Sequence, residues 1–322
     1  MPFGSIIQTV YWQGKKNSMA KHRILITGAS GIIGRQTLKY LENPDAEIHV
    51  VSRQRDPSFP RNVSIHTGDI LAPTFTSNLV KRIKPTHLLH LAWTTKHGAF
   101  WEDPENQDWY RASCHLASEF VTYGGRRLVI AGTCAEYDWT SETIRQSECT
   151  EFETPLAASN LYGQTKNKLR EYLADNLDIS FGWGRVFFPY GPYENHSRLI
   201  PHVITSLLQE HSVKIGPGTD IRDFMSTYDA GMAFAKFLMS ETQGAVNIAT
   251  GEGHSIAEIA QKIACKLNKS DLLEIGALPP RPMDPPYLVG DNTRLVKEVG
   301  MSEFMSIDSG LEKSINWWKS RL

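Results

Sequence analysis

The stretch Ile24-Leu25-Ile26-Thr27-Gly28-Ala29-Ser30-Gly31-Ile32-Ile33-Gly34 decides the fold. An apolar run breaks at Thr27, glycines follow at three-residue spacing, and apolar positions Ile33, Leu38 and Leu41 then recur with helical period. The pattern predicts strand, tight turn and helix. In such a unit the first glycine makes the turn, the second lets backbone approach a pyrophosphate, and the third lets the helix pack close on the strand. The phosphates then sit at the positive helix N-terminus. The spacing is G-x-x-G-x-x-G, and a glycine trio alone also describes a turn with no ligand.

Outward from this unit, Glu47 to Ser52, Val63 to His66, His87 to Leu91 and Arg127 to Ala131 read as further strands, most of them separated by helix-length segments. The helix before the last of these ends at Gly124-Gly125, where glycine supplies a left-handed cap. Short apolar strands alternating with helices predict a doubly wound α/β domain, a parallel Rossmann sheet covered on both faces. Beyond about residue 190 the texture changes. Pro189-Tyr190-Gly191-Pro192, Gly216-Pro217-Gly218 and Pro279-Pro280-Arg281-Pro282 punctuate shorter elements, and Ser255-Ile256-Ala257-Glu258 is a capping box opening a helix through about Leu267. The expected organisation is an N-terminal extension over 1–20, a dinucleotide-binding domain mainly over 21–188, and a smaller substrate-binding region mainly over 189–322 with segments returning to the sheet.

The 322 residues suit one large or two moderate domains. With 34 basic against 35 acidic residues, a net charge of −1 and no block of like charges, neither a nucleic-acid nor a membrane surface is expected, so the partner is a small molecule. Cys114, Cys134, Cys149 and Cys265 lie far apart without metal-type spacing, which predicts reduced thiols in a cytoplasm-like compartment and no metal site. No apolar run is long enough to span a bilayer, and the first residues lack a signal-peptide core. Met19, just ahead of Lys21-His22-Arg23, reads as a second initiation point.

Tyr162 and Lys166 are four residues apart in a helical segment that follows Ser159-Asn160, either of which can cap it. Residues at this spacing share a helix face. A tyrosine titrates near ~10 until a neighbouring ammonium favours its phenolate, so the pair is a general acid/base unit for carbonyl and carbinol interconversion. Alone it is also an ordinary exposed helix face. Gly132-Thr133-Cys134-Ala135-Glu136-Tyr137, after the fifth strand, adds weight: ligands sit at the carboxyl ends of such strands, and Thr133 can hydrogen-bond an oxygen on which charge develops.

With these elements in this order, the chain from about Arg23 to Trp318 resembles the extended short-chain dehydrogenase/reductase family, and within it the nucleotide-sugar epimerases, dehydratases and ketoreductases. The resemblance implies that Thr133, Tyr162 and Lys166 form a catalytic triad, with Lys166 also bonding the nicotinamide ribose. It implies a phosphate cradle at Gly28, Ser30, Gly31, Ile32, Ile33 and Gly34, an adenine contact at Asp69 and Ile70, and a cofactor groove lined by Leu91 and Ala92. Trp93 stands where the family has a second small residue and is expected to narrow the mouth of the sugar pocket. The second strand ends Ser52-Arg53 with no carboxylate at the ribose-binding place, so Ser52 and Arg53 favour NADP, with NAD as the alternative.

For the substrate, Asp220-Ile221-Arg222-Asp223-Phe224 with Tyr228-Asp229 resembles the segment whose arginine grips a nucleotide-sugar diphosphate, and Pro280-Arg281-Pro282 resembles the one that brings a second arginine. Ser197-Arg198-Leu199-Ile200 resembles the support of the nucleobase. Phe188 replaces a substrate-contacting asparagine. Cys134 and Ala135 replace the Asp-Glu pair of the 4,6-dehydratases, which argues against that reaction, and Cys134 reads as a buried apolar side chain. Trp93, Trp101, Trp109 and Tyr110 suit an apolar deoxy-sugar face. The expected activity is hydride transfer at sugar C4, as a 4-ketoreductase of a 4-keto-6-deoxy nucleoside-diphosphate sugar. The alternatives are a 4-epimerase and, from another class, a catalytically silent NADP-binding regulator. The family implies a homodimer.

Overall fold

Strand β1 (His22–Thr27) alternates its side chains between two cores: Ile24 and Ile26 point into one, Leu25 into the other. A strand buried on both faces must lie inside a sheet covered on both sides. In the computed structural model, which describes residues 22–41, 45–94, 96, 98–142, 144, 149–280 and 285–322, β1 is flanked by β2 (Ala46–Ser52) and β4 (His87–His90). With β3 (Val63–Thr67), β5 (Arg127–Thr133), β6 (Ser180–Val186) and β11 (Gly244–Ile248) they form one seven-stranded sheet in the order β11-β6-β5-β4-β1-β2-β3. Every pairing in it is parallel.

Helix α1 (Gly34–Tyr40) follows β1, α2 (Pro73–Ile83) follows β3, α3 (Glu105–Thr122) follows β4 and α4 (Leu161–Asn176) precedes β6. Leu79, Phe120 and Leu169 of α2, α3 and α4 cover one face, over Leu25, Leu88, Leu128 and Trp183. The other face is covered by Leu38 of α1 and by Phe234, Phe237 and Leu238, which come from much later in the chain. Gly124 takes φ +86 just past α3, the left-handed turn expected there.

Beyond β6 the elements are short: β7 (Phe188–Tyr190), α5 (Leu199–Leu208), β8 (Val213–Ile215), β9 (Ile221–Arg222), β10 (Phe224–Ser226), α6 (Thr227–Met239), β12 (His254–Ser255), α7 (Ile256–Leu267), β13 (Leu273–Ile275), β14 (Tyr287–Leu288), α8 (Thr293–Lys297) and α9 (Ile307–Lys319). Helices α5, α7 and α9 enclose a third core of Ile200, Ile204, Ile259, Ile263 and Leu311. Helix α6 and strand β11 instead join the sheet. Only half of the anticipated capping box forms at α7. The Ser255 hydroxyl accepts from the Glu258 amide, whereas the Glu258 carboxylate turns to His254.

Strand β5 runs on through Thr133, two residues past the expected end, because β6 pairs it throughout. A single 3-10 turn (Cys134–Glu136) then returns the chain, and Glu136 lies fully buried under it. Its carboxylate accepts from the Thr133 amide at 2.7 Å, from Trp183 Nε1 at 2.9 Å and from Arg185 Nε at 2.8 Å. Trp183 and Arg185 are two apart on β6 and so share a face.

Two variants test these supports. Glu136→Gln keeps an acceptor for Thr133 but strands the buried Arg185 charge, and should cost about 3–5 kcal/mol in urea denaturation; a loss under about 1 kcal/mol would remove the ion pair from this account. A Cβ at Gly34 would stand 2.3 Å from the Gly28 carbonyl oxygen. Gly34→Ala should therefore cost about 1–3 kcal/mol by overpacking, and titration with NADPH should show weakened binding.

Candidate active site

The parallel sheet delivers the carboxyl ends of its strands to one edge, and the anticipated site residues gather there. At the end of β1, Gly28 takes φ +72, a conformation that suits a residue without Cβ. Helix α1 begins at Gly34 without any side-chain cap, leaving its N-terminus to be met by backbone or by a ligand. Leu91 and Ala92 lie against this loop: Leu91 N donates to Thr27 O at 3.1 Å, and Ala92 N to Thr27 Oγ1 at 3.4 Å. Ser30 and Gly31 are exposed, and Ile32 and Ile33 half-buried. This open, uncapped cradle of close-packed backbone fits a dinucleotide pyrophosphate.

At the neighbouring strand ends, the Gly68 amide donates to Ser52 O at 3.1 Å, setting Ser52 beside the Gly68-Asp69-Ile70 turn. Asp69 is exposed and accepts from the Leu71 amide, while Ile70 is buried. Arg53 and Arg55 are exposed. The carboxylate of that loop, Asp56, is paired with Arg35 from α1, which also donates to Ser30 O at 2.8 Å. The Arg35 guanidinium lies 4.4 Å from the centre of the Tyr193 ring, and Arg321 lies 5.6 Å from the same ring.

Thr133 ends β5, and α4 presents Tyr162 and Lys166 to it. Asn160, one of the two expected caps, accepts from the Gly163 amide at 2.8 Å. Gly163 permits the approach, since a Cβ there would lie 2.2 Å from Ala135 O. Asn167 closes the contact by donating to Glu136 O at 3.1 Å. The Tyr162 amide donates to Trp101 O at 3.0 Å, so the preceding loop is seated on the helix start.

The Tyr162 ring meets Phe100 edge-on at 5.1 Å and Trp101 at 6.0 Å, with Trp139 edge-on to Trp101 at 5.8 Å. Burial among these rings pushes the Tyr162 phenol well above its ordinary range, and the nearby Thr133 side chain opposes the shift. Lys166 is 2% exposed, donates to Ala131 O at 2.8 Å, and is pushed down to about 7 by burial, with Glu136 opposing. Its Nζ lies 6.0 Å from the Tyr162 ring centre. The Thr133 side chain and the charge of Arg198 both favour the Tyr162 phenolate.

Trp93 is 9% exposed; its Nε1 donates to Asn106 Oδ1 at 2.8 Å, and its ring packs 6.2 Å from Trp109 and 6.5 Å from Tyr162. Lys96 pairs with Asp103 and Glu105, and His97 lies outside the described residues.

On the substrate side, Phe188 stands on β7 just past the end of β6, and the Arg222 guanidinium lies 5.6 Å from its ring centre. Arg222 is 4% exposed, donates to Ile221 O and lies 3.9 Å from Asp220. Asp223 accepts from Thr250, Gly251 and Gly290, and Asp229 from the Met305 amide. Arg198 pairs with Glu194 at 3.1 Å just ahead of Leu199 and α5, and its charge is felt at Tyr162. Burial raises the Glu194 carboxyl to about 7. Arg281 lies outside the described residues. Cys134 is buried, and burial lifts its thiol far above the ordinary range, consistent with an apolar filler.

Sequence reasoning missed the Glu136, Trp183 and Arg185 support, the Asn106 anchor and the close contact at Gly163. Glu136 meets its partners 47 and 49 residues later, and only the i, i+2 spacing of Trp183 and Arg185 hinted at a shared face. Among the described residues no cluster of His, Cys, Asp and Glu could hold a metal, and no helix is long and apolar enough to cross a membrane.

Known proteins resemble this chain. The chain is 23% identical over 269 residues to dTDP-6-deoxy-L-talose 4-dehydrogenase (NAD+) of Aggregatibacter actinomycetemcomitans, covering 81% of this chain and 96% of that protein. It is 23% identical over 345 residues to UDP-glucose 4-epimerase of Pisum sativum, covering 94% and 97%. The crystal structure of UDP-glucose 4-epimerase with UDP-glucose from Thermotoga maritima superposes with a TM-score of 0.83 at 20% identity, over 93% of this chain and 99% of that one, which shows a shared fold. The profile of the NAD-dependent epimerase/dehydratase family matches residues 24–249, from the glycine-loop strand past the last strand of the sheet, and the chain is an enzyme belonging to that family.

Proposed function

We propose that the protein is an NADP-dependent 4-ketoreductase of a 4-keto-6-deoxy nucleoside-diphosphate sugar. The observation that carries this reading is the setting of Tyr162. Its ring is boxed by Phe100 and Trp101, and burial raises its phenol further above neutrality while the Thr133 side chain opposes that shift, so the group carries its proton at neutral pH. A reductase needs a loaded acid there, whereas an oxidation begins with a phenolate. Edge-on aromatic rings beside that hydroxyl suit the apolar face of a deoxy sugar.

The glycine loop, Leu91, Ala92 and Lys166 would hold the cofactor, which supplies hydride to the sugar carbon when bound. Tyr162 then gives its hydroxyl proton to the carbonyl oxygen, converting C=O to CH–OH. Thr133 hydrogen-bonds the same oxygen as charge builds on it, and Lys166 orients the ribose. Arg53 and Arg55 stand open beside Ser52 while Asp56 is spent on Arg35, which favours a 2′-phosphate over bare ribose hydroxyls. Arg198 and Arg222, with Arg281 from the sequence, are assigned to the diphosphate and nucleobase end.

The similarity to a 6-deoxy-talose 4-dehydrogenase supports chemistry at C4 of a deoxy sugar. The similarity to a UDP-glucose 4-epimerase supports the second reading, in which oxidation and return of hydride occur at the same carbon.

Incubation with NADPH or NADH and a panel of UDP-, dTDP-, GDP- and CDP-linked sugars, 4-keto-6-deoxy forms included, separates these readings. Stoichiometric loss of NADPH absorbance is expected; isomerised sugar without cofactor consumption would replace the reductase with the epimerase. In the same assay Tyr162→Phe should lower turnover about 10²- to 10⁴-fold, with NADPH affinity unchanged. Activity that survives this substitution would discard the proposed proton transfer.

A further inference from the structure

Trp93 stands at the site beside the Tyr162 and Lys166 helix, and its ring contacts the ammonium of Lys166. Lys166 Nζ lies 3.7 Å from the centre of the indole ring, well inside the distance at which a cation is attracted by an aromatic face. The ring is fixed on its far side. Its N–H is held by Asn106, and the Asn106 amide in turn donates to Phe100 O at 2.7 Å and Asp103 O at 2.8 Å. Asn106 is fully buried, and Trp109 packs alongside.

The charged and titratable groups around Lys166 are accounted for. Glu136, on the turn after β5, is engaged by Thr133, Trp183 and Arg185. His90, at the end of β4, is bonded to Thr27 and Ser113 and is kept neutral by burial and by Lys166 itself. Tyr162 lies on the same helix, one turn back, with its phenol raised well above the ordinary range by burial. Among the described residues Lys166 forms no ion pair with a carboxylate; it donates to the Ala131 carbonyl and faces the rings of Trp93 and Tyr162.

We infer that Trp93 is the positioning residue of Lys166: its anchored indole face holds the ammonium charged and in place beside the cofactor groove without consuming any of its hydrogen-bond donors. A carboxylate in that place would draw those donors to itself, whereas a ring face leaves them for the ribose hydroxyls. The inference rests on the proposal that Lys166 bonds the nicotinamide ribose. It gives Trp93 a task distinct from the one its bulk suggested, and it ties the loop carrying Phe100 and Trp101 to the same ammonium through Asn106.

Burial opposes the charge on Lys166, and the ring face favours it, so losing the ring while keeping apolar bulk should lower the pH at which the charge is lost. The test is the dissociation constant of NADPH for the full chain between pH 6 and 9.5, with NADH in parallel because it lacks the 2′-phosphate, which itself titrates near ~6. Binding of both should weaken through one inflection as pH rises, and Lys166→Met should abolish that inflection. Trp93→Leu and Trp93→Met should each move it down by about one pH unit, and Trp93→Phe by less than half as much. Circular dichroism melts establish that each variant is folded, and two non-aromatic replacements guard against one failing to fold.

An inflection that disappears in Lys166→Met yet stays in place in both non-aromatic variants would overturn the role of Trp93 and leave that of Lys166 intact. An inflection that persists in Lys166→Met, or is absent from the unsubstituted protein, would overturn both.

Discussion

The carboxylate of Glu136, sealed beneath the end of β5, is the constraint on which the rest of the site depends. Removing a carboxylate and a guanidinium from water is costly, and the cost is recovered only when geometry and hydrogen bonding are nearly complete. Here they are. One oxygen accepts from the Thr133 amide and the other from Arg185, while the Trp183 N–H lies 2.9 Å from both. That network fixes the 3-10 turn, the turn fixes where α4 docks through Gly163 and Asn167, and α4 places Tyr162 and Lys166. The same carboxylate acts at a distance on Lys166, opposing the effect of burial. A structural ion pair and the electrostatics of the candidate acid/base pair are therefore one object.

The sheet was legible because both of its signals are local. Glycine spacing marks the turn after β1, and short apolar runs mark buried parallel strands. What the runs could not disclose is order across the sheet, which is set by pairing between distant segments. Strand β5 is longer than its apolar run because Gly132 and Thr133 are paired by Arg185 and Val186 of β6. The candidate triad was legible as residue types in order; in the structure Thr133 ends β5, and α4 carries Tyr162 and Lys166, the latter donating to Ala131 O of the same strand.

Trp93 shows where such legibility ends. Its identity and place in the chain were plain, but whether an indole faces a cleft or a core depends on what its N–H finds. The answer lies at Asn106, thirteen residues on and in another element. The acidic residues around Arg222 are similar: Asp223 accepts from backbone and hydroxyl donors of residues 250, 251 and 290, and Asp229 serves the Met305 amide. Polar side chains in this region are claimed by backbone donors that converge only in three dimensions.

Strand β11 has a consequence for how the chain acquires its structure. The sheet is completed by residues 244–248, which pair with β6 across an intervening stretch that holds β7 through α6, and α6 covers the sheet face beside α1. Until those residues emerge from the ribosome, β6 is a bare edge and one sheet face is uncovered, a state open to intermolecular strand pairing. Completion must then wait for closure of a long loop onto a parallel edge, which makes the final assembly step slow and non-local. The two ends of the molecule are thus not modules joined in series; they mature together, and an interrupted chain would be a client for chaperones rather than a working half.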